Sequence, residues 1–188
     1  MRNAMAVMTV LLALTAGCSD SGATPHPPVT SGAQSMPPVP RSLDAAKYAD
    51  NLCGLLEKGD LAELGFKGEP SLKPTGPDFS VPSCKAVGGP ADGSLDLSLK
   101  GDLESLRAAY EDTSGKYGFR HAVELRAFPG VVRSQAVDYP GSCDVLVAIG
   151  KQQMLALTSL PGDSRGGAIA ICGRLLTLAE TLLRKLGA

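Results

Sequence analysis

Five cysteines constrain how this chain can fold more than any other feature of its sequence. The first, Cys18, directly follows an apolar run and the small residues Thr15, Ala16 and Gly17. The remaining four are spread over the rest of the chain: Cys53, Cys84, Cys143 and Cys172. An even number of cysteines in an exported domain is typical of disulfides, so the sequence predicts a domain that is cross-linked twice.

The spacing of these four cysteines favours one of the three pairings that are available to them. Joining Cys53 to Cys84, and Cys143 to Cys172, closes two loops of about 30 residues, each around one local unit, and such a loop stabilises by roughly 3–4 kcal/mol in the chain-entropy account. We therefore expect these pairs. A metal site is disfavoured, because no Cys-x-x-Cys motif occurs and the 2 histidines lie far from the cysteines.

The residues before Cys18 have the three parts of a secretory signal peptide: the positive Arg2, an apolar part over residues 4–14, and small residues over 15–17. The apolar part is too short for the ~20 residues of a spanning helix. Leu14-Thr15-Ala16-Gly17-Cys18 is typical of a lipobox, so residues 1–17 are expected to be removed. Cys18 then carries acyl chains such as palmitate and holds the protein on the outer face of the cytoplasmic membrane. Plain secretion and an uncleaved anchor are the alternatives.

Residues 18–41 are expected to be a tether that starts at the lipidated cysteine. The segment is rich in Pro, Ser and Gly and lacks apolar periodicity, so burial cannot offset the entropy cost of ordering it. His26 lies in this segment and is expected to be a solvated spacer residue. Residues 42–188 are long enough for a single globular domain.

The pattern after Ser42 predicts an α+β fold, in which helices pack on a twisted, mainly antiparallel sheet of about six strands. Strands are expected over residues 84–88, 95–99, 121–128, 131–137, 143–149 and 154–160. In the strands over 143–149 and 154–160, the residues that point to either side of the strand are apolar. This pattern indicates a central hairpin covered on both faces. Pro129-Gly130 is expected to break the third strand, and residues 67–82 are expected to be a loop.

One or two short helices are expected over residues 43–56 and a further helical turn over 60–64, followed later by helices over 102–110 and 169–186. The candidate N-caps are Asp44, Asn51 and Asp102. The last helix carries an apolar stripe that should pack on the sheet. Cys172, in the first turn of this helix, would pin it to the strand that begins at Cys143.

One stretch matches a catalytic pattern, because Gly162-Asp163-Ser164-Arg165-Gly166 satisfies Gly-x-Ser-x-Gly. A nucleophile elbow needs an acid and then a histidine downstream, and no histidine follows Ser164 in this sequence. We interpret the stretch as a loop that enters the last helix. The protein is therefore predicted not to be an enzyme and to need no cofactor.

The other titratable residues suggest no site either. His121 is the first residue of the strand expected over 121–128 and lies on the side of that strand that faces the core. We therefore expect a hydrogen-bonded core histidine. Glu57, Asp60 and Glu63 lie on helical faces and are expected to be solvated. The net charge of -1 and the lack of a basic block argue against a nucleic-acid partner or a polybasic membrane patch.

Several segments together resemble a family of actinobacterial lipoproteins of unknown function, the domain of unknown function 3558 family. The resemblance rests on residues 43–48, 51–56, 60–66 and 143–147, and on the order of the four cysteines of the domain. Two departures are Leu52 in place of a usual proline, and Lys85-Ala86 in place of the usual aromatic residue. The resemblance implies a high-GC Gram-positive source, and the family carries no assigned activity or site to transfer.

We therefore expect a non-enzymatic, lipid-anchored protein of the cell envelope that binds an envelope protein or a small ligand outside the membrane. The alternative is a carrier of small or lipidic molecules. A carrier would need an apolar cavity above ~300 Å³ between sheet and helix, lined by residues such as Phe66, Phe119 or Phe128.

Overall fold

The computed structural model describes residues 34–65, 71–74, 81–88, 93–135, 142–160 and 168–188. Two short 3₁₀ helices, Ala46–Tyr48 and Leu52–Leu55, precede the α-helices α1 (Lys58–Glu63), α2 (Glu104–Glu111) and α3 (Ala168–Lys185). The strands are β1 (Ser71–Pro74), β2 (Ser83–Val87), β3 (Ser94–Lys100), β4 (Phe119–Leu125), β5 (Phe128–Ser134), β6 (Cys143–Gly150) and β7 (Gln153–Leu160).

These strands form one sheet of seven strands in the order β1-β2-β3-β7-β6-β5-β4. All six neighbouring pairs are antiparallel, which confirms the predicted α+β class. The strand that the sequence did not indicate is β1, which lies at one edge within the segment predicted to be a loop. Its four residues include Lys73 and Pro74, too short and polar a stretch to produce a recognisable alternation.

The two central strands, β6 and β7, are buried on both faces, as their double apolar parity predicts. On one face, which we call the α3 face, residues such as Val145 and Leu157 pack in the cluster that contains the apolar stripe of α3. On the opposite face, which we call the α2 face, Leu146 and Ala156 pack with Leu106 of α2. The sheet therefore separates two apolar layers, with α3 covering the larger one.

Both disulfides join the predicted partners. Cys53 is bonded to Cys84 with their Cα atoms 5.0 Å apart, and Cys143 to Cys172 with their Cα atoms 5.5 Å apart. The first fastens the 3₁₀ helix Leu52–Leu55 to β2. The second fastens α3 to β6, where the sequence placed it.

The predicted N-caps Asp44 and Asp102 are wrong by one residue, because the N-cap positions are Ala45 and Leu103. Both aspartates nevertheless bond to the first backbone N–H of their helix. Asp102 accepts a hydrogen bond from the backbone N–H of Glu104 at 3.0 Å, where α2 begins. Asp44 accepts one from the N–H of Ala46 at 3.2 Å. Asn51 precedes the 3₁₀ helix Leu52–Leu55 without a capping hydrogen bond from its side chain.

The prediction that Pro129-Gly130 breaks a strand is wrong, because both residues lie within β5. Strand β4 ends earlier, at Leu125, and the turn to β5 consists of Arg126 and Ala127, with φ of 53° and 70°. The pairing of β5 with β6 starts at Gly130, one residue after Pro129. Pro129 has no N–H, and it lies where no hydrogen bond to β6 is required of it.

Residues 34–41, which the sequence assigns to the tether, contact the folded domain. The backbone N–H of Gln34 donates to the carbonyl of Tyr110 at 3.1 Å. Met36 and Val39 are apolar, and both pack against the apolar cluster of the α2 face. This end of the predicted tether therefore lies against the domain, and the rest of the tether lies outside the described residues.

Asp60 is not solvated, contrary to its prediction. The Nζ atom of Lys185, near the end of α3, lies 2.7 Å from Oδ2 of Asp60 and 2.9 Å from Oε1 of Glu57. It also donates to the carbonyl of Leu55 at 3.2 Å. Burial disfavours the charge of Lys185, but the two carboxylates outweigh it and raise its pKa. This cluster joins the end of α3 to the start of α1, a contact between residues 125 positions apart in sequence.

Candidate functional site

The register of the sheet brings six polar side chains into one transverse row on the α2 face. Lys85 pairs with Asp96, Asp96 with Thr158, Thr158 with Asp144, Asp144 with Arg133, and Arg133 with Arg120. We call Lys85, Asp96, Thr158, Asp144, Arg133 and Arg120 the polar row. Because cross-strand partners lie on the same side of a sheet, these side chains share the α2 face beside the apolar cluster under α2.

The middle of the polar row is held by hydrogen bonds. Oγ1 of Thr158 donates to Oδ1 of Asp144 at 2.8 Å, and Nε of Arg133 donates to Oδ2 of the same carboxylate at 3.2 Å. The Arg133 and Asp144 side chains are only 19% and 23% exposed. Asp144 therefore has both oxygens occupied, and Arg133 is held in one place, with its guanidinium 4.7 Å from the ring centre of Tyr117.

At the end of the row, Arg120 links the sheet to the C-terminal end of α2. Its Nη1 atom donates to the carbonyl of Ala109 at 2.6 Å and to that of Tyr110 at 2.9 Å. Carbonyls in the last turn of a helix lack partners within the helix, and a cation there is favoured by the helix dipole. The contact therefore fixes where the chain leaves α2 and returns as β4.

The connection between them, residues 112–118, is a tight polar loop. Oδ1 of Asp112 accepts a hydrogen bond from the N–H of Ser114 at 2.8 Å, and Oγ of Ser114 accepts one from the N–H of Lys116 at 3.2 Å. Gly115 takes a positive φ of 69°, which a residue without Cβ adopts readily. The bonds from Ser114 lower the pKa of Asp112, so this exposed carboxylate is ionised at neutral pH.

Beside this loop lies a depression of about 280 Å³, which we call the aromatic depression. It is lined by the loop and by the first residues of β4, and it includes the rings of Tyr117, Phe119 and His121. The rings of Phe119 and His121 are stacked, with centres 5.5 Å apart and planes inclined by 26°. Three half-buried rings and the carboxylate of Asp112 thus border one concave surface.

His121 differs from the hydrogen-bonded core histidine that the sequence predicts. It is half-buried, and its Nδ1 atom is buried without a hydrogen-bond partner within the described part of the chain. Its position on the inward parity is confirmed by its stacking on Phe119, which packs against the core of the α3 face. The imidazole therefore has a polar atom that the described protein groups do not satisfy.

The three phenylalanines expected around a carrier cavity have different positions. Phe119 lines the aromatic depression, Phe128 is 1% exposed within the core, and Phe66 lies outside the described residues. Between α3 and the sheet, side chains such as Leu157, Leu175 and Leu182 are fully buried in one packed cluster.

Other residues singled out in the sequence fall outside the described ranges, namely Cys18 and the Gly-x-Ser-x-Gly stretch at 162–166. Within those ranges no group of three or more His, Cys, Asp or Glu side chains could hold a metal ion. None of the described helices combines the length and the apolar character that crossing a membrane requires.

A family model described as a protein of unknown function (DUF3558) matches residues 13–185. The chain belongs to this family. No curated protein and no solved structure gives a match to this DUF3558 protein. The match includes every described strand and helix and the two disulfides, so the polar row and the aromatic depression belong to the family domain.

Sequence reasoning missed both features, although a partial signal for the second was present. Tyr117, Phe119 and His121 alternate along the chain, in a protein with only 4% aromatic residues. Alternation at period two places Phe119 and His121 on one face of β4. The polar row had no comparable signal, because its members come from six separate strands.

Proposed function

We propose that this protein is a non-enzymatic binding protein of the cell envelope, anchored by a lipid on Cys18, whose ligand site is the aromatic depression. The observation that carries the binding role is the meeting of three half-buried rings and an ionised carboxylate around one depression.

The chemistry of the lining indicates the class of ligand. Aromatic rings offer flat apolar faces, while Asp112 accepts hydrogen bonds from hydroxyl groups. A volume of about 280 Å³ is close to the lower limit of small-molecule sites, about 300 Å³. A single sugar ring, with one apolar face and a rim of hydroxyls, fits these properties better than a lipid, which needs an enclosed apolar cavity.

The non-enzymatic role is supported by the residues of the same surface. Its described lining pairs His121 with no serine or cysteine, the usual nucleophiles that an imidazole activates. The anchoring role is supported by the lipobox sequence Leu14-Thr15-Ala16-Gly17-Cys18.

The ligand proposal is tested by saturation-transfer NMR with a panel of neutral monosaccharides and disaccharides. We expect binding in the millimolar range, lost in Phe119→Ala and in Tyr117→Ala. Tyr48→Ala is the matched control, because Tyr48 is a half-buried ring outside this surface. Saturation transfer that persists in the Phe119 and Tyr117 variants, or none from any sugar, would contradict the proposed site.

The anchor is tested separately by metabolic labelling with a radioactive fatty acid in an actinobacterial host. The wild-type protein should incorporate label and fractionate with membranes, and Cys18→Ala should do neither. The matched control is Cys53→Ala combined with Cys84→Ala, which removes two other thiols and should leave labelling intact. Label in the Cys18 variant would refute the lipid anchor without bearing on the sugar site.

A further inference from the structure

Strand β4 lies at one edge of the sheet. Its seven residues pair only with β5 within the described part of the chain. Proteins usually protect such an edge with charged side chains, above all Lys, or with Pro, a bulge or a very short strand, because unpaired backbone groups recruit another strand. Strand β4 contains neither Lys nor Pro, its two charged side chains, Arg120 and Glu124, have opposite signs, and its pairing with β5 is regular over its whole length.

The β4–β5 turn establishes which backbone groups face outward. Leu125 and Phe128 flank a two-residue turn with positive φ at both positions, so they form a hydrogen-bonded pair. Pairs of this kind alternate along an antiparallel ladder, so Val123, His121 and Phe119 also bond to β5. The N–H and C=O groups of Arg120, Ala122 and Glu124 therefore point away from the sheet.

These three outward residues form a self-complementary pattern. Suppose that a second copy of β4 lies antiparallel to the first, with the two Ala122 residues opposite each other. Arg120 of each copy then lies opposite Glu124 of the other copy. Shifting the pairing by two residues in either direction places Ala122 opposite a charged side chain. A shift of four gives Arg120 opposite Arg120, or Glu124 opposite Glu124, which is unfavourable.

The other face of the edge is compatible with the same pairing. His121 would lie opposite Val123 of the second copy, and both are half-buried. Phe119, which is half-buried, would lie opposite Leu125 of the second copy, which is buried in its own core. Ala122 at the centre is small and half-buried, which allows the strands to approach closely. Main-chain bonds and charges thus favour one register.

We propose that the protein forms a symmetric dimer by pairing β4 with β4 of a second copy about Ala122, which joins two seven-stranded sheets into one. The pairing uses the outward backbone groups of Arg120, Ala122 and Glu124 on both chains. It also brings Leu125 of the second copy to the border of the aromatic depression. The dimer does not depend on the ligand, so its test and the sugar test can fail independently.

Cysteine cross-linking of the full chain in host membranes tests the register. Opposed Cα atoms in a hydrogen-bonded pair are about 5.5 Å apart, within disulfide range, so Ala122→Cys should give a covalent dimer on non-reducing gels. Glu124→Cys is the matched control, since the two Glu124 positions would be about 14 Å apart. No cross-link from Ala122→Cys, or equal cross-linking from both variants, would overturn the proposal.

Charge exchange provides a second test by sedimentation of the detergent-purified full chain. Glu124→Arg places two arginines opposite each other at both ends and should weaken association about tenfold or more, whereas Glu180→Arg on α3 should not. Arg120→Glu should likewise be monomeric, and a mixture of the two variants should form heterodimers. Because Arg120 also caps α2, circular dichroism must show that its variant is folded. A folded mixture that stays monomeric, or a Glu124→Arg protein that dimerises normally, would refute the pairing.

Discussion

Replacing Gly130 by alanine tests the packing between β5 and β6 most directly. A Cβ atom built at this position would lie 2.8 Å from the backbone carbonyl oxygen of Leu146. It would also lie 3.3 Å from Cγ2 of Val123 and 3.4 Å from Cγ2 of Val147. The nearest atom belongs to the backbone of β6, so it cannot rotate away as the end of a flexible side chain can.

The expected cost follows from this geometry. Inserting one methyl group into a well-packed interior costs about 1–3 kcal/mol, and contact with the backbone points to the upper half of that range. For a domain of this size each kcal/mol lowers the melting temperature by roughly 2–4 °C. Gly130→Ala should therefore melt roughly 4–12 °C below the wild-type protein.

Gly173→Ala is the matched control for this substitution. Gly173 is an exposed residue within α3, and a Cβ atom there would meet no atom within 4 Å. Alanine favours a helix over glycine by up to about 1 kcal/mol, so this variant should be as stable as the wild type or more stable. Urea denaturation of the oxidised proteins, followed by circular dichroism, measures both. A Gly130→Ala protein within about 0.3 kcal/mol of wild type would refute the close approach of β5 to β6.

Three other substitutions have expected outcomes. Ala127→Gly should raise the free energy of unfolding by about 1 kcal/mol, because glycine adopts the positive φ of this turn without a Cβ penalty; a destabilised variant in urea denaturation would contradict that. Lys185→Met should lower it by about 1–3 kcal/mol at neutral pH, since Asp60, whose side chain is 11% exposed, loses its partner. The pKa of Lys185 is raised in the folded protein, so the stability that its charge contributes is complete below its ordinary pKa of 10.5. This stability is lost as pH rises through the higher folded pKa, so the variant should be as stable as the wild type only in strong alkali. Burial raises the pKa of Tyr110 to about 12 against an ordinary 10.0, so wild-type stability should fall between pH 10 and 12 as the unfolded chain ionises first. Tyr110→Phe should lessen that fall, and an identical pH profile would argue against burial of the hydroxyl.

Local patterns in the sequence were sufficient wherever burial depends on one segment and its period. The double apolar parity of 143–149 and 154–160 predicts strands buried on both faces, and the sheet places them at its centre. The stripe of the last helix and the spacing of the cysteines likewise agree with the structure. The period at which apolar residues recur along a strand or a helix indicates directly which side of that element faces the core.

The sequence predictions failed where the outcome depends on a partner far along the chain. Pro129-Gly130 is a turn signal in isolation, but here the ladder to β6 needs no N–H at Pro129. Asp60 has the pattern of a solvated helical residue, yet Lys185 reaches it from the other end of the domain. Such contacts override local preference because they depend on distances in space, which a sequence window does not contain.

Composition and spacing alone predicted a doubly cross-linked α+β domain, and the structure confirms both the fold class and the two disulfides. The polar row, the aromatic depression and the edge at β4 emerged only from the register of seven strands. Each of these surfaces depends on which residues become neighbours across strands, and a shift of one residue in any pairing would turn those side chains to the opposite face.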